Sequence, residues 1–169
     1  MRALRPVLFS LVLAFFALAA ASQPSQRLDI TGAVRDKLSL DVAALAAFAA
    51  PDIGQFTQTR SGQGTETRST VRGVKLAALV ERAGLSAPGP NDWKNLVVVA
   101  TATDGYRAVF SWPEISNTAV GDGVLVLFER DGRALDAREG GIALLSAADR
   151  RLGPRHVRNL VRIEVRALD

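Results

Sequence analysis

The amino-acid sequence predicts an α+β domain, a mixed β-sheet with a few short helices. Three observations carry that expectation. Of 169 residues, 48% are hydrophobic and 22% charged, which is enough apolar material for one core and far from a disordered composition. Short apolar or alternating runs recur along the chain, bounded by Gly, Pro or Asp. Those runs alternate with helical patterns early and with hairpin turns late, which fits α+β better than a doubly wound parallel sheet.

The elements follow in order. Leu28–Val34 alternates and reads as a strand. Asp41 can cap a short helix through Phe48, with Val42, Leu45 and Phe48 on one face and Pro51 as its stop. Gln55–Arg60 alternates again, with Phe56 on one side and Thr57 and Thr59 on the other. Ser61–Thr70 is polar and contains Gly, the least core-like part of this region. Lys75–Ala83 is a helix with Leu76, Leu79 and Val80 inward, closed by Gly84. Leu96–Ala100 is the best candidate for a central strand. Asp104-Gly105 and Asp131-Gly132 are hairpin signals, and Pro113-Glu114 starts a brief helix. Val124–Phe128 and Ile142–Leu145 are further apolar strands. Leu160–Val165 alternates and closes the fold.

Residues 1–21 read as a secretory signal ahead of one domain, residues 22–169. Arg2 and Arg5 form the positive start, Val7–Ala19 the apolar stretch, and Ala19-Ala20-Ala21 a small-residue cleavage site before Ser22. Val7–Ala21 spans roughly 22 Å as a helix, short of a roughly 30 Å hydrocarbon core, so cleavage is expected rather than anchoring. The expected location is the periplasm. There is no Arg-Arg pair of the kind that marks export of a prefolded, cofactor-loaded protein. The formal charge is +4. Without Arg2 and Arg5, 19 basic residues face 17 acidic ones, interleaved as in Glu129-Arg130-Asp131, which is a solvated surface and not a nucleic-acid stripe.

Zero cysteines exclude disulfides, thiolate catalysis and Cys-ligated metals, and a single His excludes a multi-His site. His156 reads most simply as a partly buried or surface residue. No Gly-x-Ser-x-Gly, GxGxxG or GxxxxGK[ST] pattern is present. The most informative segment is Ser146–Asn159, which gathers Asp149, Arg150, Arg151, Arg155, His156 and Arg158 between two apolar strands. Arginine forks suit phosphate, carboxylate or a pterin edge. On residue type alone, a solvated basic loop with local Asp–Arg pairs is the simpler reading.

From Arg72 onward the chain resembles the oxidoreductase molybdopterin-binding domain of the sulfite-oxidase fold. Arg72–Leu85 is similar to that family's "GVxLxxLLxxAGL" helix, and Ala102–Ile115 to its "AxDGY" hairpin. Val124–Gly141 resembles its "DGxPLxxxxGGP" strand and turn. Ile142–Asp149 and Arg155–Val165 resemble its last two strands. With Leu28–Val34 the resemblance spans nearly all of residues 22–169. Catalytic members hold molybdenum through a Cys that would fall near Gln55–Ser61, and no Cys stands there. The resemblance therefore implies the small, exported branch of the family, similar to periplasmic pterin-binding regulators that report to a membrane signalling protein.

Three readings compete. The first is a pterin or pterin-like ligand held without molybdenum, with signalling to the periplasmic part of a membrane partner. There Thr59, Arg60 and Ser61 would line the pocket floor. Tyr106 would stack on the ring, and Asp104 would accept from its exocyclic amine. Asp149, Arg150 and Arg155 would supply edge and phosphate contacts, with His156 beside them. Hairpin packing is the plainer role for Tyr106. The second reading is a molybdopterin-dependent oxidoreductase with a non-Cys metal ligand. The third is a structural or interaction protein that kept the fold and lost the pocket.

Overall fold

The strands form two sheets, not the single mixed sheet expected. The computed structural model describes residues 25–62 and 65–168, so the expected leader at 1–21 lies outside the described residues. In chain order the elements are β1 (Arg27–Gly32), β2 (Leu38–Asp41), α1 (Val42–Ala46), β3 (Ile53–Gly62), β4 (Thr65–Lys75), α2 (Leu76–Ala83), β5 (Leu96–Ala102), β6 (Arg107–Ser111), α3 (Trp112–Asn117), β7 (Val124–Arg130), β8 (Arg133–Ala134), β9 (Ala143–Ser146) and β10 (Leu160–Ala167).

The first sheet runs β2-β1-β10-β5-β6 and is mixed. Its one parallel pair joins β1 to β10, with Ile30 opposite Ile163. The expected central strand, β5, is flanked on both sides, but β10 stands in the middle. The second sheet runs β3-β4-β7 and is antiparallel; β8 and β9 both pair with β7. Apolar runs show which strands are buried, but not how they partition between sheets, which is why one sheet was expected.

Local chemistry explains the elements. Asp41 Oδ1 accepts from the Ala44 N–H at 2.8 Å and starts α1. Gly84, at φ +68°, closes α2. Asp131 and Gly132 both take positive φ, the conformation of a type I′ hairpin turn. The polar Ser61–Thr70 stretch, expected to be the least core-like, belongs to a long β3–β4 hairpin. Threonine suits a solvated ribbon: Thr57 and Thr70 face each other with their hydroxyls 3.0 Å apart.

One core cluster draws on both sheets and all three helices, with Ile30, Leu45, Leu79, Phe110, Ile115, Val126 and Ile163 among its members. A smaller cluster of Val71, Leu125, Leu127, Ala143 and Leu145 lies on the other face of the second sheet. Phe56, Leu135 and Leu152 pack against it. β7 is thus buried on both faces, which matches its continuous apolar run. Loops cover the smaller cluster, and they carry polar residues that gather at its edge.

Candidate functional site

Polar side chains meet at one end of the smaller cluster. On β3, Gln58 lies two residues beyond Phe56 and is only 4% exposed. Its partner across the hairpin is Ser69. A register shift supplies the next member. Gly73 pairs with Leu127 and Arg72 with Glu129, so Phe128 is an extra residue in β7. Such a bulge re-aims the next side chains along the strand. Arg130 consequently pairs with Val71 and joins the face of Ser69. Its Nη1 donates to Ser69 Oγ at 2.8 Å, and its Nη2 donates to Glu139 Oε1 at 2.6 Å.

Glu139 arrives on a tight turn. Asp136 Oδ1 accepts from the N–H groups of Arg138 and Glu139, both at 2.9 Å. Gly140 comes next at φ +81°, and a Cβ there would fall 2.3 Å from Asn159 Oδ1, so the position requires glycine. The Asn159 N–H donates to the Glu139 carbonyl at 2.7 Å. His156 Nε2 lies 3.6 Å from Glu139 Oε1. Burial pushes the Glu139 carboxyl up, but His156 and Arg130 outweigh it and hold the group below its ordinary range.

Among the described residues, four buried side-chain atoms have no hydrogen-bond partner: Gln58 Nε2, Glu139 Oε2, His156 Nε2 and Asn159 Oδ1. All four belong to Glu139 or to residues grouped around it. Buried polar groups are normally satisfied, so this concentration sets the cluster apart from the other polar assemblies of the described residues.

Two cavities flank the cluster. A smaller one of about 200 Å³ is lined by Gln58, Thr67, Ser69, Arg130, Asp136 and Glu139. A more open one of about 310 Å³ is lined by Ala102, Asp104, Tyr106, Gly153, His156 and Arg158. His156 lines the second and touches Glu139 of the first, so their contact forms the wall between them.

A second polar assembly nearby is complete. Arg155 Nε donates to Asp149 Oδ2 at 2.8 Å, Nη2 donates to Asp149 Oδ1, and Nη1 donates to Glu114 Oε1 at 2.9 Å. Ser146 Oγ donates to Asp149 Oδ1 at 2.7 Å. The Arg155 guanidinium lies 4.6 Å from the Phe110 ring centre. Arg155 holds the Asp149 carboxyl below its ordinary range, against the opposing effect of partial burial. The same pairing with Asp149 raises the Arg155 guanidinium.

The residues singled out from sequence therefore fall in three places. Asp104, Tyr106 and His156 share the open cavity. Asp149, Arg150 and Arg155 line a shallow depression, where the Arg155 fork is already taken by protein carboxylates. Tyr106 links the two places by donating from its hydroxyl to the Pro154 carbonyl at 2.7 Å. Thr59, Arg60 and Ser61 lie on β3, where Thr59 is exposed and lines neither cavity. The inward residue is its neighbour Gln58, because successive strand side chains face opposite ways. The side chains of Arg60 and Ser61 lie outside the described residues. Gln58, Ser69, Arg130 and Glu139 were missed. Gln58 was legible from the Phe56 parity, but a bulge that redirects Arg130 leaves no sequence signal.

No protein-family model matches the chain, and no curated protein matches it. Among solved structures it is similar to a crystal structure of the sulfane dehydrogenase SoxCD from Paracoccus pantotrophus, with a TM-score of 0.60. The identity is 19%, over 83% of this chain and 38% of that one. The likeness is one of fold, and the chain spans well under half the length of that neighbour.

Proposed function

We propose that the chain binds a pterin or pterin-like molecule in its open cavity, without molybdenum, and reports its occupancy to the periplasmic part of a membrane signalling protein. The observation that carries this reading is the convergence of Asp104, Tyr106 and His156 on one cavity of about 310 Å³, a size suited to a small ligand. Tyr106 is 45% exposed and offers a flat face for stacking, while its hydroxyl is held by Pro154. Asp104 Oδ1 accepts from the Tyr106 N–H at 2.9 Å, which leaves Oδ2 to accept from an exocyclic amine. The exposed Arg158 guanidinium at the same cavity suits a phosphate or carboxylate tail. The family resemblance of the sequence motivates the same reading. The chain has no cysteine to serve as the thiolate ligand through which catalytic relatives hold molybdenum, which is why this reading leaves the metal out.

The fold likeness to a dehydrogenase also favours a second reading, an oxidoreductase that holds molybdopterin through a non-Cys ligand. One preparation separates the two. The full chain is expressed in a host that makes molybdopterin, and molybdenum content and pterin fluorescence are measured on the same sample. Pterin without molybdenum is the expected result. Stoichiometric molybdenum favours the oxidoreductase. Protein that carries neither, and takes up no added pterin at micromolar concentration, overturns both and leaves a fold without a working pocket.

A further inference from the structure

We propose that the outer face of the first sheet, over β10, β5 and β6, docks an acidic segment of a partner protein. The inner face of these strands packs on the main core, through Ile163, Val98 and Phe110. Alternation sends the residues between them to the other side. Pairing sets that side out in rows. Arg162 stands opposite Thr101, and Thr101 opposite Arg107. Glu164, Val99 and Val109 form the next row, and Arg166 and Val97 belong to the third. The three valines make an apolar strip with arginines around it. None of the three belongs to either core cluster. Val97 is half-buried and Val109 is 54% exposed. An apolar centre with an arginine-bearing rim is the composition of a protein interface.

Charge states what the partner must carry. Glu164 is the one carboxylate on β10, β5 and β6, against three arginines. It already accepts from Arg166 Nη2 at 2.7 Å. That hydrogen bond, with the charges of Arg162 and Arg107 behind it, holds the Glu164 carboxyl below its ordinary range. Arg107 and Arg162 are exposed, and neither has an ion pair or hydrogen bond among the described residues. They flank Thr101 from its two neighbouring strands, with Cα atoms about 10 Å apart. Asp29, across from Arg162 on β1, accepts from Ser39, whose hydroxyl also takes Arg27, so that half of the face balances itself. A small anion would use the arginines and leave the valines wet, whereas a carboxylate-bearing segment with an apolar residue covers both. The face would serve the signalling partner proposed above, and to that extent the inference rests on that reading.

The test titrates blocked peptides into the full chain labelled with ¹⁵N, with no pterin added, and follows the backbone amides by NMR. The probe is Glu-Ser-Val-Ser-Glu. Extended, it presents the valine and both carboxylates on one side, the carboxylates about 13 Å apart. We expect saturable shifts on β5, β6 and β10 with a Kd of about 1 mM. Lys-Ser-Val-Ser-Lys should bind about tenfold more weakly, and Glu-Ser-Ser-Ser-Glu about threefold. Arg107→Gln with Arg162→Gln weakens the probe about tenfold, and both positions are exposed enough for the fold to tolerate the change. Arg133→Gln with Arg151→Gln removes the same charge at two other exposed positions and leaves binding within about twofold. Equal effects of the two double variants, equal binding of either control peptide, or no saturation up to about 20 mM overturns the proposal. The readout lies on the sheet and uses no pterin, so a failure here leaves the pterin cavity standing, and a failure to bind pterin leaves this face standing.

Discussion

Two arginines organise two polar assemblies of this molecule, and they differ in completeness. Arg155 bridges Asp149 and Glu114, lies over Phe110, and leaves no buried polar side-chain atom unpaired among its partners. Arg130 bridges Ser69 and Glu139, yet Glu139 Oε2 and Gln58 Nε2 remain without hydrogen-bond partners around it, and His156 Nε2 reaches Glu139 Oε1 only at 3.6 Å. Residue types are similar in the two places. The first assembly closes on itself and pins the loop before β10 to α3 through Arg155 and Glu114. The second is held open at a cavity. Completeness separates a structural clamp from a site better than charge or arginine count does.

Breaking the clamp should have the largest effect. Arg155→Met leaves two carboxylates without their counter-charge, and we expect a loss of about 3 kcal/mol in stability, measured by urea unfolding. A loss under about 0.5 kcal/mol would make the clamp an ordinary surface pair.

A smaller effect should appear in acid. The Asp149 carboxyl is held down in the folded state, so its contribution is fully present above about pH 4, where the unfolded group is ionised. That contribution disappears as the pH falls through the depressed folded value. Unfolding monitored from pH 7 down to about pH 2 should therefore show a shallower acid limb in Asp149→Asn than in the parent. Identical limbs would place the acid sensitivity elsewhere, with Glu139 the next group to examine.

The smallest effect should have the opposite sign. Gln58→Met removes a buried, unpaired donor, and we expect it to stabilise the fold by about 0.5–1 kcal/mol in the same urea assay. A destabilised variant would mean that the Gln58 amide is satisfied in solution and that the two assemblies are alike.

Much of the fold was legible in the sequence. The Asp41 cap, the Gly84 stop and both Asp-Gly turns are local chemistry, and they stand where expected. The division into two sheets was not legible, because it depends on which strands pair and not on which are apolar. The basic loop was read most simply as local Asp–Arg pairing, and Arg155 with Asp149 is such a pair. On β3 the alternation that sent Thr57 and Thr59 outward also sent Gln58 inward with Phe56, so one of the residues lining the smaller cavity was within reach. Glu139 was not, because its position depends on the Asp136 turn and on Asn159, which is 20 residues further along.

The placement of β10 bears on how the molecule comes into being. Among the described residues it is the last strand the ribosome delivers, yet it lies between β1 and β5 in the first sheet. Before it arrives, β1–β2 and β5–β6 are separate hairpins with bare inner edges. Joining them links the earliest strand to the latest, a sequence separation that slows folding. The first sheet of a nascent chain of this design stays open until β10 emerges, and so remains available to whatever binds bare strand edges.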